Sequence, residues 1–192
     1  MKKGITLVLI LLMSVVAYAK GDVVFAKKSS PIFLNSSDGQ SIGIVQTATP
    51  MKVIKKNKDF LLVEVSGWSA DGSPTVMFQK VGQRIIYAVL NDDATKHIKV
   101  VKTAMDDYET QWNDAAITVW IKKDNVTADI NTLWSSASEL FQSRCNSCHA
   151  APKFDQFTAN QWPGMIRSMK DRAGLMPDEV QLIVKYLQNH KN

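Results

Sequence analysis

Cys145-Asn146-Ser147-Cys148-His149 is the stretch that decides how the C-terminal part of the chain folds. Two thiols separated by two residues, with a histidine directly after the second, form the attachment pattern of a c-type haem. Both sulfurs bond to the porphyrin and the histidine binds the iron. The chain contains two cysteines, and this interpretation uses both. We therefore expect Cys145, Cys148 and His149 to hold one covalent haem c, with His149 as an axial iron ligand.

Three other interpretations of the two cysteines are a thioredoxin-like dithiol, a structural disulfide and half of a zinc site. A redox dithiol is expected within a βαβ pattern, and a zinc site needs a second pair of cysteines or histidines. The sequence around Cys145 offers neither of these contexts. The haem interpretation is favoured because it leaves no part of the motif unexplained.

The residues around the motif predict three short helices. Apolar residues recur at helical spacing before Cys145, at Leu133, Ala137, Leu140 and Phe141. Thr158 and Gln161 form a capping-box pattern ahead of Pro163, which suits the first turn of a second helix. A third helix is predicted after Pro177, with an apolar stripe at Val180, Ile183, Val184 and Leu187.

A six-coordinate iron needs a second ligand opposite His149. The downstream candidates are Met165, Met169, Met176 and His190. We favour Met169, which lies one helical turn after Met165 on the same face, so only one of the two can reach the iron. Met165 and Met176 remain open alternatives, whereas His190 lies in a polar C-terminal tail. If no methionine binds, the iron is five-coordinate and suited to a gas or a peroxide.

Residues 20–123 show short apolar runs separated by turn residues, which is typical of β-strands. Four segments resemble the bacterial SH3-like domain: Ile42 to Val45, Thr49-Pro50-Met51, Val53-Ile54, and Val63 to Trp68. The expected fold class is therefore β + α. It has a small all-β, SH3-like domain at 20–130, followed by a short all-α, class I-like cytochrome c domain at 131–192.

The first 19 residues have the three parts of a secretory signal peptide. Lys2-Lys3 is basic, the run from Ile5 to Val16 is apolar, and small residues stand at Ala17 and Ala19. We expect cleavage after Ala19 and export to the periplasm. An uncleaved membrane anchor is the less favoured alternative, because the apolar run is shorter than the ~20 residues that span a bilayer.

The net charge gives no indication of a nucleic-acid partner. The formal charge of +5 includes Lys2 and Lys3 of the expected signal peptide; without them 21 basic residues face 18 acidic ones, leaving +3. No basic run is interleaved with aromatic residues. We expect no binding to nucleic acid.

The sequence also resembles a known family of electron carriers. The similar residues are Cys145 to His149, Ala150-Ala151-Pro152, Phe157 to Trp162, Met169, Lys185 to Gln188, and upstream Trp120, Asn125 to Asp129 and Leu133-Trp134. They resemble the C-terminal monohaem part of the pentahaem c-type cytochromes that serve trimethylamine N-oxide and dimethyl sulfoxide reductases. The resemblance implies that Met169 is a haem ligand and that a periplasmic molybdenum oxidoreductase is the electron acceptor.

This sequence differs from that family in one respect that changes the expected function. Members of the family carry an N-terminal tetrahaem module that is anchored in the membrane and oxidises quinol, whereas this sequence has one attachment motif. We expect a stand-alone periplasmic carrier that receives electrons from a separate quinol-oxidising membrane donor.

The sequence does not predict an enzyme. It contains no recognisable Ser/His/Asp set and no phosphate-binding glycine loop. Electron transfer is the leading interpretation, and a haem-based redox or ligand sensor and a haem peroxidase-like protein are the alternatives. The last two require an iron position that is open to a ligand.

Overall fold

The computed structural model describes residues 19–37 and 39–190. The predicted signal peptide therefore lies outside the described residues, except for Ala19. Within the described part of the chain, no helix combines the length and the apolar character needed to cross a membrane.

Ten strands of the described chain form one antiparallel sheet. The strands are β1 (Val23–Ala26), β2 (Ser30–Ile32), β3 (Gly43–Val45), β4 (Pro50–Lys56), β5 (Phe60–Ala70), β6 (Val76–Lys80), β7 (Gln83–Leu90), β8 (Lys99–Met105), β9 (Gln111–Lys122) and β10 (Val126–Thr127). Most strands follow the order β10-β1-β4-β5-β6-β7-β3-β2, and β9 pairs with both β5 and β8. Short 3-10 helices at Asp92–His97 and Lys123–Asn125 connect strands late in the sheet.

The two longest strands form the centre of the sheet. β5 and β9 pair continuously from Phe60 opposite Lys122 to Ala70 opposite Trp112. Along β5, Leu61, Val63 and Val65 are fully buried and alternate with more exposed residues, as expected for a strand with one face in the core. The sheet curls, because Phe33, just after β2, forms a bridge with Trp120 of β9. The apolar core lies inside this curl.

Gly67 of β5 is required by a close approach between strands. A Cβ atom at this position would lie 2.7 Å from the backbone carbonyl oxygen of Phe78 in β6. A contact that short forces the backbone to move, so a residue with a side chain would push β6 away from β5. Gly67 therefore allows β6 to approach β5 closely at this point.

Three helices follow the sheet: α1 (Ile130–Cys145), α2 (Trp162–Met169) and α3 (Pro177–Asn189). Asp129 caps α1, where its carboxylate accepts a hydrogen bond from the backbone N–H of Asn131. In α3, the carboxylate of Glu179 accepts from the backbone N–H of Met176. All three helices lie at the positions that the sequence pattern predicts.

The helices share a small aromatic and aliphatic core that we call the helical cluster. Its buried members are Phe141, Trp162, Ile166, Val180, Ile183 and Leu187. The ring of Trp162 meets Phe141 and Phe157 edge to face, with centroids 6.4 and 5.0 Å apart. This core is small, so contacts outside it, including those with the sheet, must contribute much of the stability of the three helices.

The helices are attached to the sheet through one incompletely paired strand. Of the residues of β7, β3 pairs with Ala88–Leu90, and no other described strand pairs with the first half of β7 on that side. Side chains from the helical region fill this gap. Asn160 accepts a hydrogen bond from the backbone N–H of Arg84 at 2.6 Å, and Gln188 donates to the Arg84 carbonyl at 3.3 Å. Lys185 donates to the carbonyl of Ile86.

The expected fold class is wrong. The protein is mostly β-sheet, with ten strands and few helices, and it is not a small SH3-like domain followed by an all-α cytochrome c domain. The SH3-like resemblance ends at Trp68, but the chain then adds five further strands to the same sheet, including β9, the longest partner of β5. Lys185 and Gln188 of α3 donate hydrogen bonds to β7, but in the sequence they look like residues of an ordinary exposed helix face.

We expect Gln188→Leu to destabilise the fold by about 1–3 kcal/mol, because the carbonyls of Arg84 and Ala159 both lose their amide donor in a buried place. Urea unfolding measures this as a lower midpoint. The matched control is Gln156→Leu at an exposed position, where we expect a change within about 0.5 kcal/mol. Equal midpoints for the two variants would show that the contact with β7 contributes nothing to stability.

Candidate functional site

The CNSCH motif begins at the C-terminal end of α1. Cys145 is the last helical residue, and Asn146 follows as the cap. The Asn146 amide donates to the Gln142 carbonyl at 3.0 Å, and its side-chain oxygen accepts from the backbone N–H of Ala151 at 2.8 Å. One side chain therefore links the helix before the motif to the segment after it. Sequence analysis did not assign this role to Asn146, although asparagine is a common residue at helix ends.

The two thiols lie in different surroundings. Cys145 is half-buried against the helical cluster, whereas Cys148 is exposed, and neither forms a disulfide. Burial raises the pKa of the Cys145 thiol. Because the thiolate is the nucleophile, a higher pKa keeps Cys145 protonated and slow to react with oxidants. Neither sulfur is committed to a disulfide, so both are free to add to vinyl groups.

His149 is held in a defined orientation. Its Nδ1 atom lies 2.9 Å from the carbonyl oxygen of Ala150. A carbonyl only accepts hydrogen bonds, so Nδ1 carries a proton, and in the neutral imidazole Nε2 keeps its lone pair. A second hydrogen bond of this kind is what orients metal-binding histidines in general. The exposed ring of His149 is therefore in the tautomer that binds a metal through Nε2.

The surroundings of Cys145 suit a large apolar group with acidic substituents. Leu140, Met165 and Leu175 pack, partly buried, against the same helical cluster as Cys145, so part of their apolar surface is left uncovered. The indole N–H of Trp162 is buried in this cluster and has no hydrogen-bond acceptor among the described residues. A buried donor without a partner is costly. These residues fit a haem, whose ring would cover the apolar surface and whose carboxylates are acceptors.

The candidate second ligands differ in their surroundings. Met165 packs against the helical cluster. Met169, at the C-terminal end of α2, is half-buried but is not a member of that cluster. Met176 is 65% exposed and precedes the first residue of α3. Of the three thioethers, only that of Met169 is partly buried without packing against the helical cluster.

His190 lies at the wrong end of α1 to be the second ligand. Its ring contacts Trp134 and Tyr186, with centroids 5.2 and 4.3 Å apart. Trp134 precedes Cys145 by eleven residues on the same helix, and at 1.5 Å per residue the two are about 16 Å apart along the axis. His190 is therefore half-buried against these rings and not in a polar tail, and it lies far from Cys145 along α1.

Comparison with known proteins points to one class, the c-type cytochromes. The family model of the TorC third cytochrome c domain matches residues 18–126, which is more than half of the chain. The matched region is the β-sheet and ends before Cys145. The chain belongs to the TorC family of cytochromes.

Curated relatives extend this similarity into the helical part of the chain. The cytochrome c-type protein TorC of Escherichia coli K12 is 33% identical over 170 residues, which are 88% of this chain and 44% of that protein. The cytochrome c-type protein TorY of Haemophilus influenzae is 32% identical over 171 residues, covering 88% of this chain and 46% of that protein. The chain thus spans less than half the length of these relatives. No solved structure matches it significantly.

We expect the two thiols of the haem-free protein to be alkylated at different rates. Cys148 is exposed, whereas Cys145 is half-buried and its pKa is raised, so iodoacetamide at pH 8 should label Cys148 several-fold faster. Peptide mass spectrometry at successive times measures both rates. The same reaction in denaturant is the control, and there the rates should converge. Faster labelling of Cys145 in the folded protein would contradict the described packing.

Proposed function

We propose that this chain is a periplasmic electron-transfer protein that carries one haem c on Cys145 and Cys148, with His149 and Met169 as the axial ligands. The haem supplies an iron centre that is reversibly oxidised and reduced by one electron. The protein supplies the attachment, the ligands and the surroundings that set the potential. In this proposal the chain transfers electrons and is not an enzyme.

The observation that carries the proposal is the geometry of the attachment turn. A turn directly after α1 brings together two free thiols and an imidazole whose Nε2 is available. Asn146 ties this turn to the segment ending at Ala151. A zinc site is less well supported, because no group of three or more histidine, cysteine or acidic side chains gathers in residues 19–37 and 39–190. Membership of a cytochrome family supports the same choice.

Met169 is proposed as the second ligand because its thioether is not committed to the helical cluster. A thioether opposite a histidine stabilises the reduced iron and raises the potential. Met165, one turn earlier, already packs against the cluster, so it fits a role beside the porphyrin. With His149 and Met169 both as ligands, the iron of a bound haem would have no position left for a gas or a peroxide, which favours a carrier over a sensor or a peroxidase.

The proposed acceptor is a periplasmic molybdenum reductase of the trimethylamine N-oxide or dimethyl sulfoxide type, and the proposed donor is a membrane protein that oxidises quinol. The support is the resemblance of the motif, the Phe157 to Trp162 segment and Met169 to the family's monohaem part, together with the similarity to TorC and TorY proteins. The basic and apolar character of residues 2–16 supports export.

Leucine variants at the three methionines test the proposed ligand set. Met169→Leu should abolish the methionine-to-iron charge-transfer absorption of the ferric protein and lower its midpoint potential, because leucine cannot bind iron. The matched controls, Met165→Leu and Met176→Leu, should keep both properties close to those of the wild type. A redox titration followed by visible spectroscopy measures all three.

Met169→His provides a second test of whether residue 169 binds the iron. It should give a low-spin iron with two histidine ligands and a lower potential than that of the wild type. An unchanged spectrum in both Met169 variants, with a changed one in Met165→Leu or Met176→Leu, would assign the ligand elsewhere.

A further inference from the structure

A cavity of about 700 Å³ lies between α2, α3 and β7, and we call it the basic cavity. Its walls come from strand and helix alike, at Arg84 and Ile86 on one side and at Arg167, Val184 and Lys185 on the other. Cys145, Cys148, His149 and Met169 are not among its lining residues. Its volume lies within the range of sites for small organic molecules.

The charged groups of the basic cavity are predominantly positive. Arg84, Arg167, Lys170 and Lys185 line it, and Asp171 is the one carboxylate among its lining residues. Asp171 lies 4.0 Å from the ammonium group of Lys170, and both side chains are mostly exposed. Four cations against one carboxylate leave an excess of three positive charges around one concave space, which favours an anion.

Lys185 is the innermost of these cations and is only 5% exposed. Its ammonium group donates to the carbonyl of Ile86 and lies 5.0 Å from the centre of the Tyr87 ring. An ammonium group has three donors, and no carboxylate lies within salt-bridge distance of it in the described residues. Burial lowers its pKa to about 7. A buried cation without an anionic partner is costly, and a bound anion would offset that cost.

A serine and two amides add polar groups beside the cavity. The hydroxyl of Ser29 lies 3.0 Å from the side-chain oxygen of Gln46 and 3.3 Å from that of Gln181. Both glutamines line the cavity. A hydroxyl has one hydrogen, so Ser29 donates to one of these oxygens at a time and leaves the NH₂ group of that glutamine for a ligand. Lys185 and the two arginines offer only donors, and one glutamine at a time adds another.

We propose that the basic cavity binds a small organic anion from solution, with a carboxylate or phosphate-type group on Lys185. Pro163, Leu175, Pro177, Val180 and Val184 also line the cavity and supply apolar surface for a carbon skeleton. Such a ligand would bridge β7 and α3, since its partners come from both. Cys145, Cys148, His149 and Met169 do not line the cavity, although Leu175 belongs both to it and to the apolar residues that pack against the helical cluster. The sulfate experiments and the haem experiments measure different properties, so either proposal can fail without the other.

Sulfate is a suitable probe, because it carries two negative charges and does not titrate near neutral pH. Calorimetry on the purified full-length protein at pH 6, with ionic strength held constant by chloride, should show saturable binding at one site. Lys185→Met should weaken this binding at least tenfold, and Arg84→Gln should weaken it several-fold. The matched control is Lys99→Gln, which removes one exposed positive charge on β8, outside the cavity, and should leave the affinity unchanged.

The pH dependence provides an independent readout. Sulfate affinity should fall between pH 6 and 9 as Lys185 loses its proton, and this fall should disappear in Lys185→Met. The other groups that face Lys185 are Arg84, Arg167, Lys170, Asp171 and Tyr87. Side chains of these types ordinarily titrate outside this range, and burial raises the pKa of Tyr87 further, to about 12.

Three results would overturn the proposal. They are no saturable binding of sulfate, equal affinity in the wild type and Lys185→Met, and a loss in Lys99→Gln as large as that in Arg84→Gln. The first is also the result expected if the carboxylates of the protein's own haem fill the cavity. Because Arg84 is exposed, Arg84→Gln keeps the test valid if Lys185→Met fails to fold.

Discussion

The half-paired strand β7 is the constraint on which the arrangement of this protein depends. β3 covers only Ala88–Leu90, so the backbone groups of Arg84 and Ile86 need other partners. Asn160, Lys185 and Gln188 supply them, and in doing so these side chains take the place of a strand. An unpaired sheet edge is a general hazard for association, and covering it with a helix is one of the ways in which proteins avoid it. Here the covering helix is also part of the helical unit that carries the candidate site.

This attachment explains why the candidate site is positioned by polar contacts more than by a large core. The helical cluster is small, and α3 contacts both the sheet and α1. The attachment turn at Cys145 lies at the end of α1, where Asn146 fixes the chain on both sides of the motif. Partly buried apolar side chains around the helical cluster, and the indole N–H of Trp162, which has no acceptor among the described residues, are what a bound porphyrin would be expected to complete. A large apolar ligand would also supply core that the three helices lack.

The sequence predicted local structure well and the architecture poorly. Short apolar runs and turn residues predict strands within residues 20–123, and a period of 3.6 predicts the helices, because those signals depend on nearest neighbours. The size of the sheet was missed, since the pairing of Phe60 with Lys122 joins residues far apart in the chain. The motif predicted which residues form the turn. It carried no signal for Trp162 as an unpartnered donor, or for Lys185 buried against β7, because burial of those groups depends on tertiary contacts.

The central claim is that Cys145 and Cys148 hold one haem covalently. The most direct measurement is intact-protein and peptide mass spectrometry of the chain after export in a bacterium that attaches c-type haem. Our account predicts a mass increase of one haem, located on the peptide that contains Cys145 to His149 and absent in a Cys145→Ala/Cys148→Ala variant. Exported protein without added mass, with both sulfurs free or joined to each other, would contradict it.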